Sequence, residues 1–250
     1  MNTRSPGGVP PRGRAPRIRR APRDRPPLDR DSITRAALEI LDEGGLEALS
    51  MRTLGRHLGY EAMALYRHVE GREEVLEAVV DRLLSDLDLP EPTGPWEDYL
   101  SAFARAVRTL SQRHPQAFPL VATNHPAAPW LCPPLRSLAL VDRFFADLRE
   151  LGWDRESSVE VYQAFASFLL GFLLLETARA GAGTAPPDVS LDEGGDGGPR
   201  GPDRELDVTA YPTLLDLRPL LESDRCEEEF RTGFDSLLER LRRRFAAQPG

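Results

Sequence analysis

From about position 29 onward, apolar residues recur at the three-to-four-residue spacing of helices, and no stretch alternates with the two-residue period of strands. Ile33, Ala37, Ile40 and Leu41 mark a first helix, opened by Asp29 or Asp31 and closed by Gly44-Gly45. Ser50 opens a second, short helix that carries Leu54 and Leu58 on one face and ends at Gly59. A very short turn leads into a third over 61–68, and a fourth starts near Arg72 with Val75, Leu76, Val79, Val80 and Leu83 facing inward. Pro90, Pro92, Gly94 and Pro95 then interrupt the pattern. Beyond them the spacing predicts helices over 96–114, 135–151, 156–180, 208–222 and 227–247, with a short one near 115–122. The expected fold is all-α: a small three-helix helix-turn-helix domain within 28–88 and a larger helical domain over 95–247.

Two segments stand outside this pattern. Residues 1–27 are dominated by Pro, Gly and Arg and hold too little apolar surface to offset the entropy of ordering, so they read as a disordered arm. Residues 181–204, rich in Gly, Pro and Asp, read as a flexible loop within the larger domain. The longest apolar run, Phe165 to Leu175, is interrupted by Ser167 and Gly171 and falls short of the ~18 residues of a membrane span, which points to a buried helix. The N-terminus has no apolar segment of a secretory signal, and Cys132 and Cys226 have no metal spacing, so a reduced cytoplasm is the expected location and no membrane partner is expected.

Charge changes the picture more by its placement than by its sum. The chain carries a net charge of -8, yet residues 1–30 hold nine Arg against Asp24 and Asp29. Positive charge gathered at one end suits the phosphate backbone of nucleic acid. Within it, Pro11-Arg12-Gly13-Arg14-Ala15-Pro16-Arg17 fits either a minor-groove reader, with Gly letting two arginines lie in a narrow groove, or a tail giving nonspecific phosphate attraction. A tight glycine turn between the second and third short helices has its own physical use. It lets one helix brace the next so that exposed side chains of the latter can enter a DNA major groove.

The wording of Leu28 to Leu84 resembles the reading head of the tetracycline-repressor (TetR) family of bacterial regulators. The resemblance rests on Ala37…Ile40-Leu41…Glu43…Gly45-Leu46…Leu49-Ser50, on Ala64-Leu65-Tyr66-Arg67-His68-Val69 after Leu58-Gly59, and on Arg72-Glu73-Glu74-Val75-Leu76. It implies that Ser50 caps the second helix, with Arg52 beside it placed for a base or phosphate. Ala62, Met63 and Ala64 would form the exposed first turn of the recognition helix. Tyr66, Arg67 and His68 would meet phosphates and neighbouring bases, and Arg72 would bind a phosphate with the amides of the fourth helix. Ala62-Met63-Ala64 offers no hydrogen bond to a base edge, so readout there would be apolar, as against thymine methyl groups. His57 reads as a solvent-facing helix residue.

The resemblance continues into the tetracycline-repressor type of C-terminal domain, on Trp96…Tyr99-Leu100, Thr123…Pro126, Leu151-Gly152-Trp153, Leu169-Leu170-Gly171-Phe172…Glu176, Tyr211-Pro212…Leu214-Leu215 and Glu227…Phe230…Gly233-Phe234…Leu237-Leu238…Leu241. It implies a ligand-binding and dimerisation domain, with 156–180 and the last helix pairing with their symmetry mates. The broad stripe of Phe230, Phe234, Leu237, Leu238 and Leu241 also reads as a homodimer face. Candidate contacts for a small-molecule effector are Phe118, Thr123, Trp130, Phe144, Tyr162, Phe165, Phe168 and Phe172. The family's metal-assisted site does not carry over: Leu120 stands where its histidine would be, and Glu176 is displaced by one residue. No metal or other cofactor is therefore expected, and the effector should be mostly apolar; His114 and His125 are either polar anchors or helix-end surface residues.

The expected partners are double-stranded DNA bearing a palindromic operator, a small-molecule effector and a second copy of the chain. Three other readings compete. Scattered His and Cys and an acidic Gly loop do not assemble an active site, so no enzyme is expected. The basic arm could serve an architectural DNA-coating protein, or the regulator could answer to a partner protein instead of a small molecule.

Overall fold

The computed structural model describes residues 27–85, 87–183, 210–223 and 225–245, and every regular element among them is a helix. Nearly all of the arm and of the 181–204 loop therefore lies outside the described residues. The first helix, α1 (Arg30–Ala48), starts at a reciprocal cap. The Ser32 amide donates to the Asp29 carboxylate at 2.8 Å and the Asp29 amide donates to Ser32 Oγ at 3.0 Å. Gly45 breaks the helix at φ 67°, a left-handed value that glycine takes without steric cost, and one more turn reaches Ala48.

Ser50 caps α2 (Met51–Leu58) in the same reciprocal way, through Thr53. Gly59 closes it at φ 74°. The next element, α3 (Ala62–Leu65), is shorter than the pattern predicted, because the chain tightens into turns after Leu65 so that buried Val69 can rejoin the core. Gly55 sets how closely the two helices meet. A Cβ there would lie 2.9 Å from the Tyr60 carbonyl oxygen and 3.1 Å from the Ala62 amide. Against α1, α4 (Arg72–Ser85) buries Val75, Leu76, Val79, Val80 and Leu83 and completes the head.

The body comprises α5 (Trp96–Arg113), a 3₁₀ turn (Phe118–Ala122), α6 (Leu138–Glu150), α7 (Arg155–Arg179), α8 (Pro212–Leu221) and α9 (Cys226–Arg244). The start of α6 falls three residues later than the predicted 135, since Pro133-Pro134 delays the helix until Ser137 can accept the Leu140 amide at 3.3 Å. Packed against α5, α6, α9 and the 3₁₀ turn, α7 is the central core helix. Its length and a mean hydropathy of 1.6 over an 18-residue window would by themselves suit a membrane span, a property that the Ser167 and Gly171 interruptions obscure in the sequence; here Val161, Phe165, Leu169, Leu170 and Leu173 are buried inside the protein.

The stripe on α9 requires a correction. Phe230, Phe234, Leu237, Leu238 and Leu241 are each at most 9% exposed in a single chain, because α7 already covers them. Phe168 and Phe172 of α7 pack on Phe230 and Phe234, with Phe172 and Phe230 centroids 5.1 Å apart. Close approach is possible because residue 233 is glycine: a Cβ there would lie 2.8 Å from the Phe168 ring. Arg108 pins the same seam. Its guanidinium donates to Glu176 at 2.8 and 3.2 Å and to Glu227 at 2.6 Å, and lies 4.4 Å from the Phe230 ring centroid. The uncovered apolar surface is elsewhere. No residue of α8 is buried, and Leu220 and Leu221 are exposed, as is Leu175 on the outer side of α7.

Candidate nucleic-acid interface and apolar cavity

The helix-turn-helix offers a mixed apolar and cationic surface. Arg52 is exposed at the start of α2, Met63 is 73% exposed on α3, and Tyr66, Arg67 and His68 are exposed in the turns that follow. Ala62 and Ala64 are half-buried, and Ser50 is occupied as the α2 cap. Leu65 and Val69 pack inward, which fixes the opposite side of the segment outward. His57 binds Glu39 of α1 at 2.9 Å on the surface.

Arg72 departs from its expected place. Its Nε donates to the Leu49 carbonyl and a terminal nitrogen donates to the Leu46 carbonyl, both at 3.0 Å. Burial pulls its pKa below the ordinary arginine value, opposed by Glu73 and helped by nearby Arg136. The guanidinium thus holds the α1–α2 corner from inside. Those carbonyls are otherwise left open where α1 ends, which explains why a cation is drawn there.

Behind the head, α4, α5, α6, α7 and the 3₁₀ turn line a cavity of about 30 Å³. Its walls are carbon: Leu84 from α4, Phe103 and Val107 from α5, Val121 from the 3₁₀ turn, Leu140, Val141 and Phe144 from α6, and Phe165, Ala166, Leu169 and Leu170 from α7. Leu135 and Tyr162 complete the lining. A water needs about 10–15 Å³ and several polar partners, so this space is dry. Pockets that hold drug-sized molecules run to about 300–1,000 Å³, so the walls must move apart to admit one. The Tyr162 hydroxyl donates to the Pro133 carbonyl at 2.8 Å, and burial, then the charge of Cys132, pushes its pKa up to about 12.

Of the eight expected ligand contacts, Phe144, Tyr162 and Phe165 line this cavity and five do not. Phe118 is buried outside the lining. Thr123 is spent within its loop, donating to the Leu120 carbonyl at 2.7 Å and accepting from Arg136 at 3.2 Å. Trp130 is 78% exposed. Phe168 and Phe172 lie on the side of α7 turned to α9. The aliphatic lining on α5 and α6 occupies inward i, i+3 and i+4 positions, a signal that a search by aromatic residues passes over.

The body's histidines also serve another purpose than anchoring a ligand. His114 Nδ1 binds Asp42 of α1 at 2.9 Å, and His125 lies 3.7 Å from Glu77 of α4, so both join head to body. For a divalent cation the donors do not converge: Leu120 is buried carbon and Glu176 is committed to Arg108. Among the described residues no three His, Cys, Asp or Glu side chains form a metal-sized cluster.

Comparison with known proteins agrees with this geometry. Residues 33–79 match the family described as "Bacterial regulatory proteins, tetR family", and residues 89–244 match "Tetracyclin repressor-like, C-terminal domain". An HTH-type transcriptional regulator of Saccharopolyspora erythraea is 32% identical over 62% of this chain, a match spanning 64% of that protein. The class D tetracycline repressor of Escherichia coli is 26% identical over 84% of this chain and 88% of its own length. The solved TetR family protein ActR of Streptomyces coelicolor, in complex with actinorhodin, superposes at a TM-score of 0.60 with 27% identity, over 86% of this chain and 95% of ActR. The first two of these relatives are described as a regulator and a repressor. Carrying a reading head of exposed α2–α3 side chains and a matching helical body, the chain belongs to the TetR family of DNA-binding transcriptional regulators.

Proposed function

We propose that the protein is a cytoplasmic repressor that holds a palindromic operator as a homodimer and leaves it when a small, mostly apolar molecule opens the cavity of the body. The observation that carries this reading is the narrow, carbon-lined cavity, one of whose walls is Leu84 at the end of the last head helix. A ligand large enough to bind there must displace its walls, and α4 is one of them. In this reading residues 28–88 read DNA through Arg52, Met63, Tyr66, Arg67 and His68, and residues 95–247 bind ligand and partner. Two recognition segments must lie one helical turn of DNA, about 34–36 Å, apart to enter successive major grooves. Displacing α4 changes that separation. The ligand shifts the balance only as far as it binds the DNA-incompetent state more tightly. Relatives solved or described with small molecules, such as ActR with actinorhodin, support a ligand of this kind.

A homodimer is supported by the exposed leucines of α8 and by Leu175 of α7, apolar surface that a second copy would cover. Selection of bound duplexes from a random pool tests the central claim. A split palindrome with half-sites about one helical turn apart is expected; a pool with no enriched sequence overturns it.

A further inference from the structure

Arg136 is the most deeply placed cation at the junction between head and body, and no role in DNA or ligand contact accounts for it. Its side chain is only 6% exposed, and its Nε–H is buried without a hydrogen-bond partner. One terminal nitrogen is paired with Glu73 in the first turn of α4, the other donates to Thr123 Oγ1 at 3.2 Å, and its amide donates to the Val121 carbonyl at 3.0 Å. Val121 and Leu135, the residue before it, both line the apolar cavity. Arg136 therefore joins two pieces of cavity wall to the head.

The far side of this link has a second contact. Glu73 is followed along α4 by Glu77, which faces His125 from the same loop, so two acids one turn apart meet this segment. Glu73 also neighbours Arg72, whose guanidinium holds the Leu46 and Leu49 carbonyls next to the Ser50 cap of α2. At its other end α4 touches the cavity through Leu84. Leu84 lies eleven residues after Glu73, about 16 Å along a helix. Gripped at both ends by the same cavity walls, α4 must follow when they part. With the Glu73 grip removed, a ligand would push only the Leu84 end, and the first turn could stay with the DNA-bound head.

We propose that Arg136 is a positioning residue for DNA release, carrying the state of the cavity to the reading head through Glu73. This rests on the ligand response proposed above. The pair is suited to the task because it is hard to break: a guanidinium this buried is strongly disfavoured without its carboxylate, so the loop and α4 move together or the charge is stranded.

The test measures coupling itself. The neutral apolar fluorescent probe N-phenyl-1-naphthylamine is titrated into the full chain, free and bound to a duplex taken from the selection, and the ratio of the two affinities is the coupling factor. The wild type should show a factor above about 10, within the usual range for coupled sites. Arg136→Gln and Glu73→Gln should each lower it at least fivefold while the probe's affinity for free protein stays within threefold, and Arg136→Lys should restore part of it. Glu73 is half exposed, so its variant keeps the test open should Arg136→Gln fold poorly. Variants that keep the wild-type factor, or lose it only by losing probe binding, overturn the link alone. A wild type that does not bind the probe, or binds it with a factor of 1, overturns the ligand response and the link with it.

Discussion

Arg72 Nε donates to the carbonyl oxygen of Leu49 at 3.0 Å, so the fourth helix is stapled to the turn that launches the second. A second bond reaches Leu46 at the same distance. Arg72→Ala should therefore destabilise the head by about 1.5–3 kcal/mol, the usual range for hydrogen bonds to a charged group. Denaturant unfolding measures this. DNA affinity should fall as well, but the salt dependence separates the two roles. Loss of a phosphate contact lowers the salt slope by about 0.9, whereas loss of a structural staple leaves it unchanged. A slope reduced with stability intact would return Arg72 to the DNA surface.

The Asp29–Ser32 cap makes the head sensitive to acid. The Asp29 carboxyl is held below its ordinary value of 3.8, first by the Ser32 amide and then by its hydroxyl, with Arg35 and His68 adding charge. The folded state thus holds its proton less tightly than the unfolded chain. Its contribution is fully present above the unfolded pKa and is lost as pH falls through the lower folded one. Asp29→Asn keeps a capping oxygen without the charge, so its stability should fall less steeply below pH ~4 than that of the wild type. Unfolding curves collected across that interval check it, and equal slopes would assign the acid sensitivity to other groups.

What the sequence made legible follows the range of the interactions. Caps and turns are local: Ser50 bonds a residue three positions away, and Gly59 acts on its own helix end, so both could be read directly. The hidden features depend on distant partners. Arg72 turns inward to carbonyls 23 and 26 positions back, and Arg136 meets Glu73 across 63. The apolar period of α9 announced a buried face but not which surface buries it, and Gly233 with Phe168 shows that its own chain does. Aromatic residues mislead for the same reason. Phe165 and Phe168 look equivalent along the chain and both reach Phe234 of α9, yet only Phe165 also lines the cavity.

The two apolar surfaces can be separated by mutation. Phe234→Glu with Leu238→Glu buries two carboxylates in the chain's own core and should prevent folding, whatever the oligomeric state. On the other side of α7, a Cβ added at Gly171 would meet nothing within 4 Å, and Leu175 one turn later is 67% exposed. Gly171→Glu with Leu175→Glu should leave helical content intact and yield monomers by light scattering, if α7 pairs with a second copy. A dimer of unchanged stability would move the interface to α8 or elsewhere.

The cavity yields a prediction in which affinity and response move in opposite directions. At about 30 Å³ it admits an apolar ligand only by parting its walls, so part of the binding energy is spent on that displacement, and the displacement is what reaches α4. Leu140→Ala, on α6, would open room in advance. Truncating a buried leucine costs about 2–5 kcal/mol of stability, because the surroundings collapse only in part. The space that remains should let a small apolar ligand bind more tightly to the free protein, since less wall must be moved. For the same reason it should release DNA less well. By linkage, the ratio of ligand affinities without and with operator must fall toward 1 as the wall movement disappears. Calorimetry on both forms reads affinity and ratio together. Tighter binding with an undiminished ratio would mean that the head senses ligand through a contact and not through the parting of the walls.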